Sequence, residues 1–305
     1  LSSAGSPQSS GEVRPQSLVD KSRQSSVAEW TNHRFVAFDG TPLFYRRATT
    51  VEKPRAAVLI VHGMGEHGGR YRHVAEYLVA MGFECFVPDL RGFGKSGGTR
   101  GSIRAFSDLT KDLSALHAIA DGETKGVPVF LLGHSFGGLV ASAYAAQTGQ
   151  KIAGVILSSP IFGIKVPVQA WRHILGLIAS YLAPDYVQPT RVEAKMLTHD
   201  AVILREYSRD ALIDHRISAR LYRELLRAIA KKMEIAASLR SPVLLLLSGE
   251  DVVVDAAAAR EFFKAIRVAD KELETYDDFY HEILNETGRD RVLSRIGTWI
   301  SMKMS

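Results

Sequence analysis

Gly133-His134-Ser135-Phe136-Gly137, following directly on the apolar run Val129-Phe130-Leu131-Leu132, is the stretch that decides the fold. The run before it reads as a buried strand, and the small residues from Gly138 to Ala146 read as a closely packed helix. A strand that turns sharply into a helix presses the chain against itself, so the positions two before and two after the serine must be small. The same turn lifts the serine hydroxyl clear of the sheet. This context predicts a nucleophile elbow with Ser135 as candidate nucleophile, where a plain Gly-Ser turn would need neither flanking element.

Outward from this turn, buried-type runs alternate with helical periods. Strands are expected at Ala56 to Val61, Phe83 to Val87, Val129 to Leu132 and Ile152 to Leu157, and helices at Tyr71 to Met81, Ala105 to Ala120 and Gly137 to Gln147. In the second helix Phe106, Leu109, Leu113 and Leu116 recur at helical spacing, and Ser107 or Asp108 offers a cap. Such alternation predicts an α/β fold, a mostly parallel central sheet covered by helices on both faces. Two apolar stretches between Arg34 and Ala48 flank Asp39-Gly40-Thr41-Pro42 and predict an N-terminal antiparallel hairpin.

The alternation breaks from Pro160 to Leu239, which shows no convincing strand and reads as several helices. It resumes with Val243 to Leu247, a helix from Ala256 to Ile266, a strand from Leu273 to Tyr276 and a last helix from Thr287 to Met302. The helical stretch is therefore expected to be an insertion, a cap over the C-terminal strand ends where open α/β sheets bind ligands. The expected organisation is a core of residues 29–159 and 240–305, a cap of residues 160–239, and a disordered Ser-rich tail of residues 1–28.

Hydrophobic residues at 46% and charged residues at 23% suit a soluble globular chain that buries a real core. The single cysteine, Cys85, excludes disulfides within the chain and suits a reducing, cytoplasmic compartment; in its apolar run it reads as a small buried hydrophobe. The net charge of +5 is mild, and the stretch from Pro160 to Arg240, with 13 Lys and Arg against 8 Asp and Glu, holds an equal excess. That stretch could face anionic headgroups, although a solvated helical face explains it more simply. No helix-turn-helix, zinc-finger spacing or basic-aromatic stripe points to nucleic acid. Residues 1–28 hold no apolar run long enough for a signal core or a membrane span, and the first residue, Leu1, leaves room for a targeting segment upstream.

A serine hydroxyl is a poor nucleophile at neutral pH, so it needs a histidine to take its proton and a carboxylate to orient that histidine. In this kind of fold the order is serine, then carboxylate, then histidine, each partner after a late strand. Glu250, Asp251 and Asp255 follow Val243 to Leu247. Asp251 is the candidate, with Asp255 read as a helix cap and Glu250 as a solvated neighbour. His281 falls on the loop after the last strand and is the candidate base, while Asn285 and Glu286 read as the start of the terminal helix. The oxyanion of the tetrahedral intermediate needs backbone donors, for which the amides of Phe136 and of Met64, in His62-Gly63-Met64-Gly65, are the candidates.

His62-Gly63-Met64-Gly65-Glu66-His67-Gly68-Gly69-Arg70-Tyr71 resembles a segment of monoacylglycerol lipases and related bacterial lysophospholipases of the α/β-hydrolase superfamily. So do Asp89-Leu90-Arg91-Gly92-Phe93-Gly94-Lys95-Ser96-Gly97-Gly98, the elbow from Leu132 to Gly138, and Tyr280-His281. Together these cover roughly residues 30–160 and 240–303, and the elbow carries Phe136 where methionine is common. The resemblance implies an α/β-hydrolase fold, a triad of Ser135, Asp251 and His281, and oxyanion amides at Met64 and Phe136. It also implies that Glu66, Arg70 and Tyr71 support the headgroup end of the site, either by touching substrate or through a structural Glu66–Arg70 salt bridge.

The cap matches the family less clearly. Val168, Trp171, Ile174, Leu175, Ile178 and Leu182 fall on one helical face. By resemblance that face guards an acyl entrance and touches membranes peripherally. By periodicity it is buried or interfacial, with packing inside the lid the simpler reading.

The expected activity is hydrolysis of single-chain acylglycerols through an acyl-enzyme, with no metal or cofactor. Lysophospholipase, general carboxylesterase or acyltransferase activity uses the same parts. An aspartate-nucleophile hydrolase is disfavoured by the serine at the elbow, and the reading from a different class is a non-catalytic receptor or scaffold on the same fold. Acyl length, headgroup and oligomeric state are not legible.

Overall fold

A computed structural model of the chain describes residues 29–147, 152–166, 169–190 and 192–304; the expected tail, residues 1–28, lies outside the described residues. The apolar runs form the middle of an eight-stranded sheet. Its members are β1 (Glu29–Val36), β2 (Pro42–Thr49), β3 (Ala56–Val61), β4 (Phe83–Asp89), β5 (Val129–His134) and β6 (Ile152–Ser158), which precede the insertion. Two short strands, β7 (Val187–Pro189) and β8 (Arg216–Ser218), lie in the insertion, and β9 (Val243–Ser248) and β10 (Lys271–Tyr276) complete the sheet. The order is β1-β2-β4-β3-β5-β6-β9-β10. β2 runs antiparallel to both neighbours, and every other pair is parallel. The hairpin turns through residues 37–41, where Gly40 takes φ 82°.

Alternate residues of each central strand feed two cores. In β3, Ala57, Leu59 and Val61 face one cluster while Ala56, Val58 and Ile60 face the other; in β5, Val129 and Leu131 oppose Phe130 and Leu132. The second cluster is closed by α1 (Arg72–Ala80) and α9 (Asp290–Met302). The first is closed by α2 (Phe106–Thr124), α3 (Phe136–Gln147) and α8 (Ala256–Ala265). Burial on both faces is why these strands read as unbroken apolar runs. Each fully buried Leu, Ile or Val contributes about 1.5–3 kcal/mol relative to exposure, which fixes strand register strongly.

Four expectations need correction. The insertion is not helical throughout, because β7 and β8 pair as an antiparallel ribbon from Val187 opposite Ser218 to Pro189 opposite Arg216. Strands of three residues are too short to show a period of two. α2 is preceded by Ala105 with no side-chain cap, and Asp108 lies within its first turn. α9 starts at Asp290, because Glu286 is engaged elsewhere, accepting amide bonds from Tyr280 and His199. Finally, the apolar face of α4 (Ala170–Leu182) is not packed inside the lid: Trp171, Ile174, Leu175, Ile178 and Leu182 are 48–83% exposed, with Tyr181 beside them. Val168 lies outside the described residues.

The rest of the insertion comprises α5 (Ala201–Arg209), α6 (Ala219–Ala230) and α7 (Lys232–Ser238). It lies against the loops that leave the C-terminal strand ends: Asp214 donates its amide to Gly65 O at 2.7 Å, Ser218 to Gly101 O at 2.9 Å, and Glu282 to Leu197 O at 2.8 Å. Among the described residues no helix is long and apolar enough to cross a membrane.

Candidate active site

Ser135 stands between β5 and α3 with φ 51°, a backbone region that non-glycine residues adopt only when their surroundings hold them there. Its amide donates to Ser158 O at 2.9 Å, and its carbonyl accepts from Gly138 at 3.0 Å and Ile161 at 3.1 Å. A Cβ on Gly133 would lie 2.5 Å from Gly137 O, and one on Gly137 would lie 2.1 Å from Val61 O. Backbone cannot retreat from such contacts, so glycine is required on both sides of the serine.

The loops after β9 and β10 bring the two distant partners to this point. Ser135 Oγ lies 2.9 Å from His281 Nε2, and His281 Nδ1 lies 2.8 Å from Asp251 Oδ2. The other oxygen of Asp251 accepts the amides of Val253 and Val254 at 2.8 and 2.9 Å. All three side chains are buried. Glu250 is exposed and Asp255 caps α8 by accepting from Ala257, so of the three carboxylates after β9 only Asp251 reaches the histidine. Burial pushes the Asp251 carboxyl up, but the imidazole and the two amides outweigh it and hold the group below the usual range. For His281 burial lowers and Asp251, then Glu282 and Glu66, raise, leaving it above the ordinary histidine value. With Nδ1–H donated to Asp251, the Nε2 lone pair faces the serine hydroxyl.

Behind β3, the loop at Gly63 passes against the candidate nucleophile: a Cβ there would lie 3.4 Å from Ser135 Cβ. Its backbone is clamped from both sides. Gly63 N–H donates to Glu66 Oε1 at 2.6 Å, while Gly63 O is 2.7 Å from His62 Nδ1. His62 Nε2 accepts the Leu90 amide at 2.8 Å, so Nδ1 carries the proton and donates to Gly63 O. Gly63 C=O and Met64 N–H share one rigid peptide plane, so holding the carbonyl also aims the amide. The second candidate donor, Phe136 N–H, opens α3.

Glu66, Arg70 and Tyr71 form one buried cluster. Tyr71 donates its hydroxyl to Glu66 Oε1 at 2.7 Å, and Arg70 donates to Glu66 Oε2 at 2.5 Å. Arg70 also donates twice, each bond 2.7 Å, to Glu282. Burial pushes the Glu66 carboxyl up, yet Arg70, with help from the Tyr71 hydroxyl, holds it down at about 2. Ser135, His281, Met64, Glu66 and Glu282 line a cavity of about 100 Å³ from the core side, and Leu197, Tyr207 and Asp214 from the insertion. Arg70 and Tyr71 stand behind this wall. Among the described residues no group of His, Cys, Asp or Glu is placed to hold a metal ion.

Among the titratable residues lining the cavity, sequence reasoning missed four: His134, Tyr207, Asp214 and Glu282. Two carried a usable signal, since His134 is the variable position of the elbow and Glu282 is a carboxylate adjoining the candidate base. Burial, with His281 close by, pushes His134 down to about 4, which keeps it neutral. Tyr207 and Asp214 lie in the insertion, where spacing shows nothing of what faces the cavity.

The sequence matches the family described as Serine aminopeptidase, S33 over residues 52–288. It is 32% identical over 243 residues to the phospholipase YtpA of Bacillus subtilis, covering 79% of this chain and 93% of that protein. An abhydrolase domain-containing protein of Dictyostelium discoideum is 28% identical over 87% of this chain, which spans 28% of that protein's length. Among solved structures, the monoacylglycerol lipase of Paleococcus ferrophilus superposes with a TM-score of 0.78 at 28% identity, covering 86% of this chain and 99% of that one. The family's sequence thus runs through most of the chain, on a fold shared with a lipase, and the chain belongs to the serine aminopeptidase S33 family of α/β-hydrolases, as a serine hydrolase of the lipase and esterase type.

Proposed function

We propose that the protein hydrolyses single-chain acylglycerols at Ser135. The observation that carries the reading is the unbroken line of short contacts from Ser135 Oγ through His281 to Asp251. Ser135 Oγ attacks the ester carbonyl while His281 Nε2 takes its proton, and Asp251 stabilises the resulting imidazolium. The amides of Met64 and Phe136 donate to the oxyanion. His281 passes the proton to the departing glycerol oxygen, then deprotonates a water that cleaves the acyl-enzyme, releasing fatty acid and restoring the hydroxyl.

The headgroup follows from the wall of the cavity. Glu66, Glu282 and Asp214 line it, and the Arg70 guanidinium behind them is bonded to the first two. Glycerol hydroxyls donate well to such acceptors, whereas a phosphodiester would meet three carboxylates at close range. This favours monoacylglycerol over lysophospholipid, although one relative is a phospholipase. Residues 160–239 act as the cap. The exposed apolar face of α4 supports peripheral contact with a membrane, from which such a substrate would be drawn.

Purified protein should label with a fluorophosphonate, and Ser135→Ala should abolish both labelling and ester turnover. Monooleoylglycerol should turn over at least about 10-fold faster than lysophosphatidylcholine. Equal turnover would overturn the headgroup reading. Folded protein that does not label would instead favour a ligand receptor on this fold.

A further inference from the structure

Glu282 directly follows the candidate base, and its side chain is 4% exposed. It accepts two bonds from Arg70, 212 residues away in sequence, and a third from Asn285 Nδ2 at 2.9 Å. The same guanidinium bonds Glu66, whose other oxygen holds the Gly63 amide. A continuous chain of charge-assisted bonds therefore joins the loop that carries His281 to the loop that presents the Met64 amide. The two groups that must act together on one carbonyl stand on opposite ends of it.

The charges are unbalanced. Around His281 stand Asp251 from the loop after β9, Glu282 from its own loop, and Glu66 and Arg70 from the segment after β3. His134 at the end of β5 is neutral, and Asp214 on the insertion is bonded to Arg216. The Lys165 ammonium donates to Asp251 O at 2.6 Å, so Glu66, Glu282 and Asp251 outnumber the two cations, Arg70 and Lys165, by one, and this surplus negative charge is relieved when the imidazole becomes cationic.

We propose that Glu282 is a positioning residue for ester hydrolysis: through Arg70 it locks the His281 loop to the Gly63–Met64 loop, and it adds the negative charge that favours the imidazolium formed during attack. Two separable effects follow, one of charge and one of geometry. Glu282→Gln removes the charge in nearly the same shape, and Glu282→Asp keeps the charge but shortens the reach to Arg70.

The inference rests on Ser135 and His281 being the reacting pair, and fluorophosphonate labelling of the unaltered protein tests that separately. On p-nitrophenyl butyrate, Glu282→Gln should lower kcat about 10-fold with KM within about twofold. The acid limb of its kcat/KM profile should move to lower pH by at least about 0.5, because the imidazole loses a neighbouring anion. Glu282→Asp should also lose kcat but keep the acid limb of the parent. If Glu282→Gln lowers only thermal stability, or raises KM at constant kcat, or leaves the acid limb in place, the inference fails while the reading of Ser135 stands. If the unaltered protein does not label, the reading fails and the inference with it.

Discussion

At Asp251, one carboxylate is asked to orient an imidazole and to stay ionised in a buried place, and the two backbone amides on its other oxygen make this feasible. Asp251→Asn keeps the shape but removes the charge that stabilises the imidazolium. Steady-state hydrolysis of a soluble ester should show kcat reduced by about 10³-fold or more, with little change in unfolding midpoint. Because His281 is held above the ordinary value of 6.5, kcat/KM should rise with pH through an apparent pKa above that value, since only the neutral imidazole can take the serine proton. An acid limb well below pH 6 would contradict this. Gly137 tests the elbow itself: a methyl group 2.1 Å from Val61 O forces β3 and α3 apart, and Gly137→Ala should cost at least about 3 kcal/mol by chemical denaturation.

Among the elements, those with both faces buried were legible with their bounds, whereas in the insertion the helices were legible as a class and the short strands were not. β3, β5 and β9 are short, bounded by turns and apolar save for the last residues of β5 and β9, His134 and Ser248, so the sequence admits only one layered arrangement of them. The elbow was legible because its glycines answer to contacts with backbone, which leave no alternative residue. β7 and β8 escaped notice because three residues carry no period, and α4 misled because a helical stripe records that a face is apolar, not what lies against it. Glu282 escaped because its meaning comes from Arg70, which only folding brings near. The exposed stripe makes a prediction of its own. Ile174→Asp with Ile178→Asp should reduce co-sedimentation with phosphatidylcholine vesicles several-fold while changing hydrolysis of p-nitrophenyl butyrate less than about twofold. Unchanged vesicle binding would remove α4 from the membrane contact.

Across the whole molecule, acid stability turns on the buried histidines. Burial pushes His62, His73, His117 and His134 below the ordinary value, so between the folded and unfolded values the unfolded chain binds more protons. Their contribution is full above pH 6.5 and is lost as pH falls, for His134 through about 4. His281 has the opposite sign, its contribution full below 6.5 and lost as pH rises through its raised value. Glu66 adds stability above 4.5 that is lost as pH falls toward about 2. Four groups outweigh one, so the calorimetric Tm should decline on acidification below pH 6.5 and more steeply below 4.5; a Tm that climbs between pH 7 and 5 would refute the balance. The loop from Tyr280 to Glu286 is itself held by Leu197, Thr198 and His199 of the insertion. This sets where the molecule can be recombined with another of its kind. A seam placed before Val192 would exchange the outer helix and keep these bonds, whereas a graft carried through residues 193–218 would leave the His281 loop without mates.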